Sequence, residues 1–258
     1  MPDHHDPAAH ADANATDKTV WQTAALTKNY LDGVRGAIPL AAEQLAIMRH
    51  LILMTERPVT RFLDLGCGDG ILGQMVLDEF PAATGVLLDF SAPMLEAARQ
   101  RLLNHTDNIT IVQNDYGDPG WLATIQGDGP FDVIVSGFSI HHQADGRKQT
   151  LYRELYDLLT PGGIFLNLEH VKSATPWVSH CFDEMFIDAL YAYHQQTGGT
   201  DTRAQVATTF YNRPDKAANI LAPVEVQCNW LRDIGFTDVD CFFKIFELAL
   251  FGGIKPAK

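Results

Sequence analysis

Three glycines, at positions 66, 68 and 70, fall in the stretch FLDLGCGDGILGQ (62–74), directly after an apolar run and directly before a helical pattern. A chain that gives up side chains there makes either a tight strand-to-helix turn or a turn whose bare backbone lies against a ligand, with helix N-terminal N–H groups exposed to it. Asp89 lies 19 residues after Gly70 (89 − 70), at the end of the next apolar run. In doubly wound folds a carboxylate there accepts hydrogen bonds from ribose hydroxyls; its bland alternative is a solvated Asp capping a turn. Asp115 and Tyr116 end a third run. The Asp can accept from an adenine amino group while the Tyr covers the ring; otherwise they are a turn Asp and a core aromatic. A fourth run ends in SGFSIHH (136–142). Ser136 and Gly137 let the backbone pass near a ligand, and His141 and His142 fall where a substrate would meet a reactive group. One of the two serves as a general base, or one caps the following helix and does no chemistry. A nicotinamide dinucleotide fits poorly, since its fingerprint needs glycines at 66, 68 and 71 and position 71 is Ile.

The elements that must hold these residues are short apolar runs alternating with helical patterns. VTRFLDL, ATGVLLD, ITIVQND, FDVIVSG and GIFLNLEH read as strands. Ile71 to Phe80, Ser91 to Asn104 and Gly146 to Leu159 read as the intervening helices, with Ser91 as an N-cap, Pro93 in a first turn, and Thr160-Pro161-Gly162-Gly163 as a stop. Strands of this length alternating with helices imply βαβ units and a mostly parallel, doubly wound sheet, and near-continuous apolar strands imply cover on both faces. A helix over Leu40 to Met54 precedes the first strand. After the fifth, WVSHCFDEMFIDALYAYHQQTGG is long, aromatic and helical, an inserted lobe rather than another βαβ unit. APVEVQCNWLRDIGF returns to an amphipathic helix ending at Gly235, and TDVDCFFKIFELALFGG reads as two strands with a break near Lys244–Ile245. The expected division is a disordered leader (1–18), an N-terminal helical lid (19–58), a core (59–171), a helical insert (172–222), and the final helix and strands (223–258).

The 258 residues carry a net charge of −13, with 46% hydrophobic and 20% charged residues. A polyanion such as DNA or tRNA is repelled by that balance, and no Lys/Arg cluster exceeds two, so a small-molecule substrate is expected and a nucleic acid is not. No apolar run approaches the ~20 residues of a membrane helix. The first 18 residues lack the basic start and apolar middle of a signal peptide. Cys67, Cys181, Cys228 and Cys241 show no C-x-x-C spacing, which suits reduced cytoplasmic thiols. His4, His5 and His10 lie in the leader with nothing nearby to fix them, so no metal is expected.

LDLGCGDG, GVLLDFSAPMLEAARQR, NDYGD, FDVIVSGFSIHH and LTPGGIFLNLEH, in that order, resemble the class I S-adenosylmethionine-dependent methyltransferases from about Phe62 to His170, with WLRDIGFTDVDCFFK as the final helix-strand block. The resemblance implies an α/β fold: a Rossmann-like, seven-stranded sheet with its last strand antiparallel, here with the N-terminal lid and the insert after the fifth strand. It implies S-adenosylmethionine as cofactor, contacted by Gly66, Gly68 and Gly70, by Asp89 at the ribose, and by Asp115 and Tyr116 near the adenine. Asp64 would orient the glycine loop or the methionine amino group. Cys67, Asp69, Phe90, Met94, Ser136, Gly137 and Phe138 complete the expected cofactor cleft. The flanks, YLDGVRGAIPLAAEQL and YNRPDKAANILAPVEVQCNWLRDIGF, are similar to the carboxy-S-adenosylmethionine synthase branch. That similarity implies a lid closing over the cofactor, for which Tyr30 and Arg35 stand; an Arg placed like Arg213 to hold an extra carboxylate; and a homodimer. Each Arg is equally readable as a surface ion-pair residue.

The expected activity is methyl transfer to a small molecule, with His141 or His142 as base. Trp177, Phe182, Phe186, Tyr191, Tyr193 and Tyr211 would wall the substrate pocket, unless the aromatics are simply core. The alternatives are an enzyme that makes or uses a modified sulfonium, and a cofactor-binding module without catalysis.

Overall fold

The computed structural model describes residues 33–212, 216 and 218–257. The leader with its three histidines, Tyr30 and Arg213 lie outside the described residues.

The chain enters through a short 3-10 turn (Arg35–Ala37) and helix α1 (Ala41–Leu53), then alternates strand and helix. β1 (Arg61–Leu65), α2 (Ile71–Glu79), β2 (Thr84–Asp89), α3 (Ala92–Arg101), β3 (Ile109–Gln113), β4 (Phe131–Gly137), α4 (Asp145–Leu158) and β5 (Leu159–His170) form the parallel part. The insert is α5 (Pro176–Gln196) and α6 (Arg203–Val206), which continues as a π-helical turn (Ala207–Tyr211). α7 (Val224–Ile234), β6 (Thr237–Ile245) and β7 (Leu248–Ile254) complete it. The seven strands lie in the order β3-β2-β1-β4-β5-β7-β6. β7 alone runs antiparallel to both neighbours, as the resemblance implies for the last strand.

Alternation along each inner strand explains the layers. Leu63, Leu65, Val86 and Leu88 join Tyr152, Leu155 and Leu231 in one core. Phe62, Leu87, Val133 and Val135 join Met48, Leu72, Val76 and Leu95 in the other. Side chains of successive residues point to opposite faces, so strands covered twice must be apolar at nearly every position. α1 through α3 supply the second core, α4 and α7 the first.

A third cluster joins the entry segment to the insert: Val34 and Ala37 pack with Ile187, Leu190, Val206, Ala207 and Tyr211. Gly36 is the close-approach point, since a Cβ there would meet the Tyr193 ring at 2.3 Å. Two boundaries differ from expectation. The hairpin between β6 and β7 turns at Phe246 and Glu247 rather than at Lys244–Ile245, because Ile245 still pairs with Leu248. β5 starts at Leu159, before the Pro-Gly-Gly stop, because Leu159 is buried and pairs with Phe131 across a register shift.

Register sets the site. Leu65 stands opposite Leu88 on one side and Ser136 on the other. The carboxyl ends of β1, β2 and β4 are therefore level, at the point where strand order reverses, and such a switch point opens a crevice.

Candidate active site

The glycine loop follows β1 and is held from below. The N–H groups of Gly66 and Cys67 donate to the Leu88 carbonyl at 2.8 and 3.0 Å. Gly66, Gly68 and Gly70 all have positive φ (65°, 53° and 77°), which side chains tolerate poorly. A Cβ on Gly66 would lie 1.9 Å from Ser139 Oγ, whereas one on Gly68 would meet nothing nearer than Met94 Sδ at 4.0 Å. Gly66 is therefore excluded by protein packing, while Gly68 borders open space. Asp89, last in β2, is buried, and its carboxylate accepts from Gly68 N–H at 2.9 Å and Ser91 N–H at 2.8 Å. Burial pushes its pKa up to about 6 against those two hydrogen bonds and a third from the Phe90 N–H.

Above these ends lies a cleft of about 950 Å³ that opens to solvent. Gly66, Cys67, Gly68, Asp89, Phe90, Met94, Gly137, Phe138 and Arg35 line it, as expected from sequence. So do Ser91, Ser139, His142 and four residues of the entry segment and α1, namely Ile38, Ala41, Gln44 and Leu45. These last four fall in the flank YLDGVRGAIPLAAEQL, whose similarity implies a lid, with its Ile38-Pro39 step, over the cofactor; residue type alone does not single them out.

Other expected cleft residues spend their polar atoms inside the protein. Asp64 is fully buried, its Oδ2 accepts from Gly73 N–H at 2.8 Å, and it ties α2 to β1. Burial raises it to about 7, and its Oδ1 has no partner among the described residues. Asp69 is clamped between Arg35 and Arg101. Gly70 packs against Leu87, Ala98 and Leu102. Ser136 donates to the Leu65 carbonyl at 2.8 Å. Asp115 accepts from Gly117 N–H at 2.7 Å, and the buried Tyr116 hydroxyl bonds Ser139 Oγ at 2.6 Å. None of these six residues is in the cleft lining.

A second chamber, about 710 Å³ including its mouth open to solvent, adjoins the cleft and shares Ile38, Phe138 and His142 with it. Phe182, Phe186, Phe210 and Tyr211 form its wall. Phe138 adopts the left-handed region (φ 51°), where a bulky residue is strained, and its N–H donates to the Leu168 carbonyl at 2.7 Å. Of the expected aromatic wall, Phe182, Phe186 and Tyr211 are present. Trp177 is not: on the first turn of α5 it is 73% exposed and lines neither chamber. Tyr191 and Tyr193 pack in the entry-insert core instead.

The two histidines differ. His142 lines both chambers. His141 lines only the second, is buried, and shares a 2.5 Å hydrogen bond between Nδ1 and Glu169 Oε1. Burial, then the proximity of His170 and Lys148, holds its pKa well below the usual imidazole value, so the ring is neutral at pH 7. Burial also raises Glu169 to about 7. The rings of His141 and His142 lie 4.0 Å apart. His170 continues the chain, its N–H on Glu169 Oε1 and its Nε2 on Glu247 Oε2, both at 2.8 Å. Sequence reasoning missed Glu169 and Glu247. Their signal is a carboxylate inside an apolar strand or tight hairpin, where it must have a partner.

All four cysteines are free thiols. Among the described residues no group of three His, Cys, Asp or Glu side chains is placed to hold a metal, and no helix is long and apolar enough to cross a membrane.

Comparison with known proteins agrees with this geometry. Residues 62–163 match the model of a methyltransferase domain. The carboxy-S-adenosyl-L-methionine synthase of Desulforapulum autotrophicum is 26% identical over 89% of this chain and 88% of its own. A demethylmenaquinone methyltransferase of Leptospira interrogans is 32% identical over 48% of each. The solved structure of an O-methyltransferase family protein from Burkholderia thailandensis superposes with a TM-score of 0.55 at 18% identity. It covers 83% of this chain, which spans only 57% of that larger protein. Residues 62–163 of the chain therefore carry a methyltransferase domain, and over nearly its whole length the chain is similar to an enzyme of S-adenosylmethionine chemistry.

Proposed function

We propose that this protein transfers a methyl group from S-adenosylmethionine to a small molecule, with the donor in the glycine cleft and the acceptor in the second chamber. One observation carries the reading: a cleft built of bare backbone and a buried carboxylate opens, at Phe138 and His142, onto an aromatic chamber. The cleft fits the donor on its own evidence. Asp89 keeps acceptor capacity for a ribose hydroxyl beyond its bonds to the Gly68, Phe90 and Ser91 N–H groups, and Gly68 leaves space for a ligand against the main chain. The donor would supply the activated methyl group and its own leaving group. The protein's part is alignment, exclusion of water, and removal of a proton from an O–H or N–H acceptor. His142 stands where the two chambers meet, and His141, neutral and braced by Glu169, stands behind it.

Native mass spectrometry of the purified protein, followed by an acceptor screen with labelled donor, tests this. We expect a retained nucleoside-bearing ligand and label in a low-mass product. A protein that neither retains nor takes up such a ligand would refute it.

A second reading, use or synthesis of a carboxylated sulfonium, draws on the relative that matches 26% over nearly the whole length and on Arg35 at the cleft margin. Arg35 pairs with Asp69 in this structure. A carboxylated donor in the spectrum would favour this second reading.

A further inference from the structure

The second chamber has a chemistry of its own. The rings of Phe182 and Phe186 lie 5.7 Å apart at 32°, and Tyr211 meets Phe186 edge-on at 5.5 Å and 89°. Each ring is fixed by the next, so the wall is preformed: Phe182 and Phe186 present tilted faces and Tyr211 closes them at a right angle. Such a wall takes up apolar area and aligned π surface, and offers little to a hydrated polyol, whose hydroxyls would be buried without partners. Among the described lining residues there is no carboxylate, and Lys216 carries the permanent charge. Its Nζ lies 3.5 Å from the centre of the Tyr211 ring and 3.6 Å from Asp183 Oδ1. With that charge paired to Asp183, the lining suits a neutral acceptor and offers a cationic one no carboxylate. The imidazoles of His141, His142 and His170 also line the chamber, His170 meeting the Phe182 ring at 5.5 Å.

We propose, building on the methyl-transfer reading, that the acceptor is a flat aromatic molecule bearing a phenolic hydroxyl, its ring against the Phe182–Phe186–Tyr211 wall and its O–H towards the histidine pair. The proton step balances within the site: the phenol O–H breaks, its proton passes to a neutral imidazole nitrogen, and phenolate and imidazolium result. A phenol of pKa about 10 lies within about four pH units of an ordinary imidazole at about 6.5, whereas a hydroxyl as weakly acidic as water, at about 15.7, lies about nine away. An imidazole base thus selects phenols over alkanols. Burial weakens His141 as a base and so widens both gaps alike, which leaves the preference for a phenol unchanged.

The test is calorimetric. The full-length protein is first titrated with S-adenosylhomocysteine, then, saturated with it, with 2-naphthol, decahydro-2-naphthol and 2-naphthylmethylamine. We expect 2-naphthol to bind at least about tenfold tighter than its saturated or cationic counterpart. Phe186→Leu, which keeps an apolar side chain and removes the ring, should weaken 2-naphthol about tenfold and leave S-adenosylhomocysteine within about twofold, since Phe186 lines only the second chamber. Equal binding of the three probes, or no binding of 2-naphthol to protein that still binds S-adenosylhomocysteine, overturns the aromatic acceptor alone. Failure to bind S-adenosylhomocysteine overturns the donor reading and the inference with it.

Discussion

Asp89 is the sharpest test of the donor cleft. Its carboxylate already accepts from Gly68 and Ser91 N–H at 2.9 and 2.8 Å. Ribose hydroxyls would take up its remaining acceptor capacity beside the Phe90 N–H. Hydrogen bonds to a charged partner contribute about 1.5–3 kcal/mol each, so Asp89→Ala should cost about 3 kcal/mol or more of donor binding, about a hundredfold in Kd. The same change strips two buried backbone donors of partners, at about 1–3 kcal/mol each, so the variant must be shown folded by circular dichroism before titration. Asp89→Asn keeps the shape and one acceptor oxygen, and should lose about tenfold. Charge gives a second readout. Burial holds the carboxyl near pKa 6 in the free protein, and hydroxyl donors favour its ionised form. Donor affinity of the parent should therefore fall as pH drops below about 6, approaching tenfold per pH unit, while the Asn variant stays flat. Calorimetric titration with S-adenosylhomocysteine between pH 5 and 8 reads both. An Asn variant within twofold of the parent at pH 8, or a parent whose affinity does not change between pH 7 and 5, refutes the ribose role.

Three further outcomes follow from the same geometry. Asp64, raised to about 7 from 3.8, contributes stability that is present below pH 3.8 and lost as pH rises through about 7. Asp64→Asn removes that loss, so urea melts should show the variant gaining on the parent by up to about 4 kcal/mol across this window; a pH-independent difference would contradict it. Glu169→Gln removes the carboxylate that supports protonation of His141; kcat should fall about tenfold or more and its acid limb should move to lower pH, with the acceptor KM little changed. An unmoved limb would mean that His141 plays no part in proton removal. Arg35→Ala breaks the clamp between the entry segment and Asp69; stopped-flow release of S-adenosylhomocysteine should quicken about tenfold, a loss of roughly 1.4 kcal/mol, and an unchanged rate would show the clamp to be irrelevant to closure.

The framework was legible because two signals coincide. Strands read as apolar runs of five to seven residues, and the glycine loop and Asp89 punctuate their ends where register later aligns them. The side of a helix that meets the ligand was not legible. α5 is apolar around much of its girth, so residue type alone could not distinguish Phe182 and Phe186, which line the second chamber, from Trp177, which stands in solvent. Nor could it tell that Asp115 and Tyr116 would satisfy their polar atoms within the protein. A different search recovers part of what was missed. Asp64, Asp89, Ser136, Asn167 and Glu169 are buried polar residues set in strands otherwise built of apolar side chains. Each costs free energy unless it is paired, so each has a specific reason to be there. All five lie towards the carboxyl ends of β1, β2, β4 and β5, the edge from which both chambers open. Where an apolar strand breaks its own pattern near its end, the break marks the site, and by that rule Glu169 in NLEH was as visible in the sequence as the glycines.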